Sequence, residues 1–198
     1  MPRLASDNFN RANGALVSPW VGSPNSVLPI IVSNHVEDQT ITEDAIALYA
    51  AFPWGANQYA QVTVLAADSQ AYMGACVRGE SSLSGRQLYY ITVNNLGGSA
   101  TVEIGYVVPG TPDQYTTLAS TVMAVTAGSV LRVVATGTSI AGYLDNRLVL
   151  GPITNGAIPG PGTAGVYLFI NSGGTLANGQ VDNWEGGILN VPRRHYAP

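Results

Sequence analysis

Apolar and polar residues alternate along much of this chain. The alternation places every second side chain on the same side of an extended backbone, so it predicts β-strands with one buried face. It is clearest at residues 58–66, 89–95, 100–108 and 130–136. Residues 40–52 are the only stretch that admits a helix, but its threonines and the following Pro53 favour a loop that leads into a strand.

Two further segments, residues 27–33 and 164–171, are apolar at nearly every position. Such runs are typical of strands that are covered on both faces. Turn-forming Gly, Pro, Asn and Asp residues separate the predicted strands, and no helical pattern lies between them. The pattern therefore predicts an all-β fold: a single antiparallel β-sandwich formed by residues 1–187, followed by a C-terminal extension at 188–198.

Composition and charge narrow the classes of function. Of the 198 residues, 46% are hydrophobic and only 10% are charged, whereas about 25% are charged in an average soluble domain. A chain so rich in apolar residues is not disordered. The formal net charge of -4 argues against nucleic acid or an anionic membrane surface as a partner, because both require clustered cations.

The N-terminal residues and the cysteine content bear on the cellular compartment. No apolar run follows Arg3, so we expect no export signal and no transmembrane helix, and hence synthesis in the cytoplasm. Cys76 is the single cysteine, so the chain has no internal disulfide.

A series of landmarks follows along the chain up to about residue 187. They are Asp7, Phe9, Arg11, Gly14, Leu16 and Trp20, then the motifs GACVRG, LYYITVNN, VLRVVATGTSIAGYLDNRLVL, GTAGVYLFIN and VDNWEGG. Their order resembles the concanavalin A-like, laminin-G-type jelly roll, particularly the versions found in bacteriophage virion proteins. The resemblance implies this fold, which hosts lectins, glycosidases, lyases and structural modules, and it leaves the function open.

The same tripeptide pattern, an acid, an amide and an aromatic residue, occurs as DNF near the start and DNW near the end. Because the first and last strands of a jelly roll are neighbours, we expect Phe9 and Trp184 to be buried together. The alternative is that Asp7 and Asp182 join backbone carbonyl oxygens around a structural calcium ion.

Aromatic side chains in loops and turns are the candidates for sugar binding, because an exposed ring can stack on the apolar face of a pyranose. Trp54 is the most suggestive, since Pro53 and Gly55 flank it, although burial over the end of a sheet is the alternative. The candidate glycan-binding residues are Trp54, Tyr59, Tyr115, Tyr143 and Asn146.

The charged residues show no catalytic motif. Hydrolysis of a glycoside requires two carboxylates about 5 to 9 Å apart. Glucan-hydrolysing relatives place these groups in a Glu-x-Asp-x-x-Glu string or a near variant, and no such string occurs here. The acidic pairs at 37–38 and 43–44 are expected in a solvated loop, with a calcium-binding loop as the alternative. We therefore expect that the protein is not an enzyme.

Two arginines, Arg78 and Arg132, lie within predicted apolar strands. We expect each of them to pair with a carboxylate such as Glu103, to extend its head group to solvent, or to line a concave face.

Together these expectations give one leading hypothesis: a non-enzymatic surface protein of a bacteriophage virion, a capsid decoration or tail accessory with a structural and glycan-adhesive role. Its partners would be other virion proteins, copies of itself and cell-surface polysaccharide. Flexible ends at residues 1–6 and 188–198 would dock it, with Arg193 and Arg194 meeting an acidic surface. The alternatives are a free carbohydrate-binding module or lectin, and a glycosidase or lyase with a non-standard site.

Overall fold

The computed structural model describes residues 4–82 and 84–189. Within these residues the chain forms β-strands and one short 3-10 turn at Leu176–Asn178, and no helix is long and apolar enough to cross a membrane. The strands are β1 (Leu4–Asp7), β2 (Gly14–Ala15), β3 (Trp20–Gly22), β4 (Ile30–Val32), β5 (His35–Glu37), β6 (Asp44–Tyr49), β7 (Gln58–Ala67), β8 (Ala71–Gly79), β9 (Leu88–Asn94), β10 (Ala100–Val108), β11 (Gln114–Met123), β12 (Val130–Thr136), β13 (Ser139–Leu144), β14 (Arg147–Thr154), β15 (Thr163–Ile170) and β16 (Gly179–Ile188).

These strands form two antiparallel sheets. The nine-stranded sheet has the order β14-β13-β12-β7-β16-β5-β4-β2, with β1 also paired to β16. The seven-stranded sheet has the order β11-β10-β9-β8-β15-β6-β3. The predicted all-β sandwich is confirmed, and within residues 40–52 a loop leads into strand β6, as the sequence indicates.

The inner faces of the two sheets share one apolar core. Val62 and Val133 on the nine-stranded sheet and Ile91, Ile104 and Val166 on the seven-stranded sheet are all fully buried in it. These positions alternate with outward-facing residues along each strand, which is the period-two pattern of the sequence expressed as packing.

The first and last strands lie side by side, as the repeated tripeptide predicts. Strand β1 pairs with β16, and Asp7 is directly opposite Trp184. Phe9 and Trp184 are both buried, and Trp20 links them, with its ring centre 5.7 Å from that of Phe9 and 4.9 Å from that of Trp184. Because β1 begins at Leu4, the expectation of a flexible end through residue 6 is wrong for residues 4–6.

The seven-stranded sheet is strongly curled. Strands β11 and β6 are separated by four other strands, which corresponds to about 24 Å in a flat sheet with a strand spacing of about 4.8 Å. Nevertheless, the Tyr115 hydroxyl on β11 lies 2.7 Å from Oδ2 of Asp44 on β6. Two side chains cannot span the flat distance, so the sheet curves around its outer face and makes that face concave.

The curl also explains the continuously apolar segment at 164–171. Tyr167 on the outer face is buried, as is Leu168 on the inner face. Outward-facing residues of neighbouring strands, among them Ile46, Leu48, Cys76 and Leu88, are fully buried in a second cluster. The strand is therefore covered on both faces without any additional layer of secondary structure.

Candidate functional site

The concave face of the seven-stranded sheet carries a row of side chains at matched register. Glu103 on β10 is opposite Thr92 on β9, and Thr92 is opposite Gly74 on β8. Gly74 is in turn opposite Tyr167 on β15. Glycine at position 74 is required by space, because a Cβ there would lie 1.8 Å from the Ile91 carbonyl oxygen. Because Gly74 has no side chain, the surface of the row is depressed between Thr92 and Tyr167.

Two stacked tyrosines form the base of this face. The rings of Tyr90 and Tyr167 lie nearly parallel, with an interplanar angle of 13° and centres 4.9 Å apart. Gly105 makes room for Tyr90, since a Cβ at this position would lie 2.3 Å from the Tyr90 hydroxyl oxygen. The Tyr90 hydroxyl donates to Oε1 of Glu103 over 3.0 Å, which fixes the direction of that carboxylate.

One end of the concave face is open and forms a cavity of about 220 Å³, which we call the cleft. Tyr72 and Phe169 are half-buried there, with ring centres 6.2 Å apart and planes inclined by 43°. Among the described residues, Oε2 of Glu103 has no hydrogen-bond partner and is free to accept one. The cleft is lined by Tyr72, Tyr90, Thr92, Glu103, Tyr167, Phe169 and Asn171.

A polar bridge joins strands β6 and β11, on opposite sides of the curled sheet, beside the cleft. Asp44 accepts hydrogen bonds from the Tyr167 hydroxyl at 2.6 Å and from the Tyr115 hydroxyl at 2.7 Å. Arg86 donates to the same carboxylate and to the Tyr115 hydroxyl, and its Nε lies 3.7 Å from Oδ2 of Asp113. The bridge holds Tyr167 in place from the side opposite Tyr90.

The pKa values of Arg86 and of the tyrosines beside the bridge are raised above their ordinary values. Burial opposes the charge on Arg86, but Asp44, Tyr115 and Asp113 together raise the pKa of this guanidinium. Burial, and then the nearby carboxylates Glu103 and Asp44, raise the pKa of Tyr90 well above its ordinary value. Burial and Asp44 do the same for Tyr167. Both tyrosines therefore remain hydrogen-bond donors at neutral pH.

The five residues expected to bind glycan do not form one site. Trp54 is half-buried, donates from Nε1 to the Tyr49 carbonyl oxygen at 2.8 Å and packs on Phe52, so it covers the end of a sheet. Asn146 is an exposed turn residue with a φ of 66°, as the predicted hairpin turn requires. Tyr115 belongs to the bridge next to the cleft.

The remaining two candidates meet on the opposite side of the molecule. Tyr59 and Tyr143 line one cavity on the outer face of the nine-stranded sheet, together with Arg132 and Glu185. The sequence reasoning placed these two tyrosines among the sugar-binding candidates but gave no reason for them to be neighbours, because they become so only through the pairing of β7, β12 and β13.

Asp7 and Asp182 are engaged in separate local contacts. Asp7 accepts from both terminal nitrogens of Arg11, from Trp20 Nε1 and from the Phe9 amide. Burial would raise the pKa of Asp7, but the bonds from Arg11, Trp20 and Phe9 outweigh this effect and lower it. Asp182 accepts from its neighbour Asn183. Among residues 4–82 and 84–189, no group of three or more His, Cys, Asp or Glu is arranged to hold a metal ion.

The expectation of a solvated acidic loop is wrong for three of its four carboxylates. Glu37, Asp38 and Asp44 are buried, and Glu43 is exposed. Gln180 donates to Glu37 at 2.8 Å, and the tyrosine hydroxyls satisfy Asp44. Asp38 accepts from the Thr40 amide through Oδ1, but its buried Oδ2 has no partner among the described residues. Burial, and to a lesser extent Asp44 and Glu43, raise the pKa of Asp38 to about 7.

Neither of the two strand arginines pairs with Glu103, but only Arg78 departs from all three expected alternatives, since Arg132 is half-buried and lines a cavity. Arg78 is fully buried and donates to the carbonyl oxygens of Ala56, Gly137 and Ile158, so it ties three loops together. Arg132 lies over the ring of Tyr143. Arg193 and Arg194, proposed as docking residues, lie outside the described residues.

Sequence reasoning missed the main residues of the cleft. Glu103 was noted only as a partner for an arginine, and Tyr72, Tyr90, Tyr167 and Phe169 were not singled out. One signal was present: Tyr167 and Phe169 are two residues apart on a predicted strand, so both rings must lie on the same face. Nothing in the sequence indicated that this face is concave.

No family model and no curated protein sequence matches the chain. Similar solved structures include the carbohydrate-binding module CBM66 from Bacillus subtilis, with 14% identity, a TM-score of 0.58 and coverage of 83% of this chain and 91% of that one. The β-glucanase of Bacillus licheniformis has 13% identity, a TM-score of 0.55 and coverage of 94% and 98%. A κ-carrageenase from Zobellia galactanivorans has 11% identity, a TM-score of 0.59 and coverage of 96% of each chain.

These structures correct one expectation. The prediction that the protein is not an enzyme is contradicted, because the same sandwich forms the β-glucanase and the κ-carrageenase over nearly their whole length. The chain has the concanavalin A-like jelly-roll fold that its sequence landmarks indicate.

Proposed function

We propose that the protein binds polysaccharide in the cleft on the concave face of the seven-stranded sheet. The observation that carries the proposal is the half-buried pair Tyr72 and Phe169, which lies beside hydrogen-bonding side chains of three different strands or loops. The fold is consistent with this role, since it is also that of a protein named as a carbohydrate-binding module.

The chemistry of the cleft matches a sugar ring in two respects. An aromatic ring offers a flat apolar surface to the C–H face of a pyranose, and the loss of such a contact typically costs about 1 kcal/mol. Hydroxyl groups around the same pyranose need both donors and acceptors. Thr92 and Asn171 can donate and accept, and Oε2 of Glu103 can only accept while it is ionised.

The direct test is titration of the full chain with a panel of neutral β-glucan oligosaccharides. We expect saturable binding, and we expect Tyr72→Ala to raise the Kd about tenfold, which corresponds to about 1.4 kcal/mol. Tyr143→Ala is the matched control, because Tyr143 is a half-buried tyrosine on the other sheet. Absence of saturable binding, or an equal effect of the two substitutions, would refute the proposal.

A second candidate function is cleavage of the bound glycan, favoured by the placement of Glu103 in the open cleft. When it is protonated, its free Oε2 could donate that proton to the glycosidic oxygen as the bond to the leaving sugar breaks, while a water molecule attacks the anomeric carbon and releases its own proton to solvent. Asp44 pairs with Arg86 and accepts hydrogen bonds from two tyrosine hydroxyls, so both of its oxygens are already engaged. Glu103 is thus the group on which catalysis would depend.

Release of reducing sugar from β-glucan and κ-carrageenan tests this second function. We expect Glu103→Gln to abolish release while Glu80→Gln, a change in a loop, retains it. Release that is unaffected by Glu103→Gln would exclude Glu103 as the catalytic group, and absence of release from every polysaccharide would leave binding alone as the function of the cleft.

The location on a bacteriophage virion is a separate proposal that rests on the sequence resemblance. A polysaccharide-binding protein on a capsid or tail would hold the particle at a cell surface. Mass spectrometry of purified particles tests it: we expect the chain at a fixed ratio to the capsid protein, and its absence from washed particles would contradict this location.

A further inference from the structure

A second group of polar and aromatic side chains lies on the outer face of the nine-stranded sheet. Arg132 on β12 is opposite Tyr143 on β13 and Gln61 on β7. Gln61 is opposite Glu185 on β16, which is opposite Ser6 on β1. Their chain neighbours Leu131, Val133, Val62 and Trp184 are buried in the core, so this row faces outward.

Two cavities run along this row and share Glu185. One, of about 350 Å³, is lined by Tyr59, Arg132, Val134, Tyr143, Glu185 and Leu189. The other, of about 580 Å³, is lined mainly by polar residues that include Gln61, Thr63 and Asn183. We call these two adjoining cavities, on the side of the sandwich opposite the cleft, the Arg132 groove. Each cavity is within the size range of small-molecule sites, about 300 to 1,000 Å³.

The guanidinium of Arg132 is positioned but not neutralised. It lies 4.7 Å from the centre of the Tyr143 ring, which holds it by a cation–π contact. Among the described residues it has no carboxylate within 4.0 Å, and its Nε is buried without a hydrogen-bond partner. By contrast, Arg11 and Arg86 pair with carboxylates, and Arg78 donates to carbonyl oxygens.

Among the described residues, Glu185 lines the same cavity as Arg132 but does not form an ion pair with it. Gln61 separates Glu185 from Arg132 by two strand spacings, about 9.6 Å between backbones. The Tyr59 hydroxyl donates to Oε1 of Glu185 at 2.6 Å. Burial, and then this contact, raise the pKa of Tyr59, so the hydroxyl remains protonated and keeps hold of Glu185. Arg132 is therefore left with its planar fork of donors facing the groove.

A guanidinium fork is complementary to a planar carboxylate, to which it donates two parallel hydrogen bonds. The rest of the groove offers amide groups at Gln61 and Asn183 and apolar surface at Val134 and Leu189, which suits a sugar ring better than a free small acid. We propose that the Arg132 groove binds an acidic saccharide of the uronic acid class, with its carboxylate on Arg132. This site is independent of the cleft and of the function proposed for it.

The test uses the full chain and an oligomer of galacturonic acid, with the neutral galactose oligomer of the same length as the reference ligand. We expect saturable binding of the acidic oligomer only, and an increase in Kd of at least tenfold in Arg132→Gln. Arg147→Gln is the matched control, because it removes the same charge from an exposed arginine at the start of β14, outside both cavities. We expect its Kd to change less than twofold.

Three results would overturn the proposal: no saturable binding of the acidic oligomer, equal binding of the neutral oligomer, or equal losses in Arg132→Gln and Arg147→Gln. Arg132→Lys keeps the charge but loses the pair of parallel donors, so its Kd should lie between those of the wild type and Arg132→Gln. If Arg132→Gln does not fold, Arg132→Lys takes its place in the test. Neutral β-glucan binding that depends on Tyr72 should be the same in all three variants, so failure here is distinguishable from failure of the cleft.

Discussion

The outer faces of the two sheets use similar residues in different surroundings. Each has a tyrosine hydroxyl bound to a glutamate, Tyr90 to Glu103 on the seven-stranded sheet and Tyr59 to Glu185 on the nine-stranded sheet. On the curled seven-stranded sheet the outward side chains form a second buried cluster. On the nine-stranded sheet, residues such as Gln61 and Arg132 stay partly exposed. We therefore expect the polar contacts of the curled sheet to contribute more to stability than those of the nine-stranded sheet.

The largest effect is expected from Asp44, which closes the concave face. Asp44→Asn removes the nearer of the two carboxylates beside the largely buried Arg86, and breaking a buried pair costs about 3 kcal/mol, at the lower end of the usual range because Asp113 remains. Asp7→Asn is the comparison, because its partner Arg11 is more exposed, and we expect a smaller loss of about 1 kcal/mol. Urea unfolding of both variants measures the difference. Equal losses would show that curvature does not strengthen the bridge.

An intermediate effect is expected at Asp38, in the loop that passes from one sheet to the other. Its pKa of about 7 in the folded protein lies above its ordinary value of 3.8. The folded state therefore binds the proton more tightly than the unfolded state, and its stability falls as the pH rises from about 4 to about 7. Asp38→Asn should remove this part of the pH dependence.

Thermal unfolding at pH 5 and pH 8 measures this effect. From pH 5 to pH 8, the Tm of the wild type should fall by about 3 °C or more relative to the Tm of Asp38→Asn. This change corresponds to about 1 kcal/mol for a chain of this size. Glu43→Gln is the control, since Glu43 is an exposed carboxylate in the same loop. If the Tm difference between Asp38→Asn and the wild type were the same at both pH values, the pKa of Asp38 would not be raised.

The smallest difference between two variants is expected from removing the two matched hydroxyls. Tyr59→Phe should cost about 1 kcal/mol of stability and leave neutral glucan binding unchanged, because Glu185 can turn to water. Tyr90→Phe should cost about 2 kcal/mol and also weaken glucan binding, because Glu103 loses the contact that orients it in the cleft. Urea unfolding measures the loss of stability in both variants, and glucan titration measures their Kd. Equal losses of stability together with equal Kd values would contradict the difference between the two sheets.

The sequence was sufficient to predict the strands and the fold, because both depend on local alternation and on the order of landmarks. It also predicted that β1 and β16 would be neighbours, with Phe9 and Trp184 buried. The cleft could not be predicted, because it depends on the curl of the seven-stranded sheet, and this curl brings Tyr115 to Asp44 across four intervening strands. Arg78 was misjudged for a similar reason, since its carbonyl partners come from three separate loops.

The central claim is that neutral polysaccharide binds on the concave face and not on the opposite face. The ten tyrosines of the chain allow a direct measurement by fluorine NMR of protein labelled with 3-fluorotyrosine, with signals assigned through single Tyr→Phe variants. Addition of the bound β-glucan should shift the signals of Tyr72, Tyr90 and Tyr167 and leave those of Tyr59 and Tyr143 unchanged. Shifts confined to Tyr59 and Tyr143 would contradict the account.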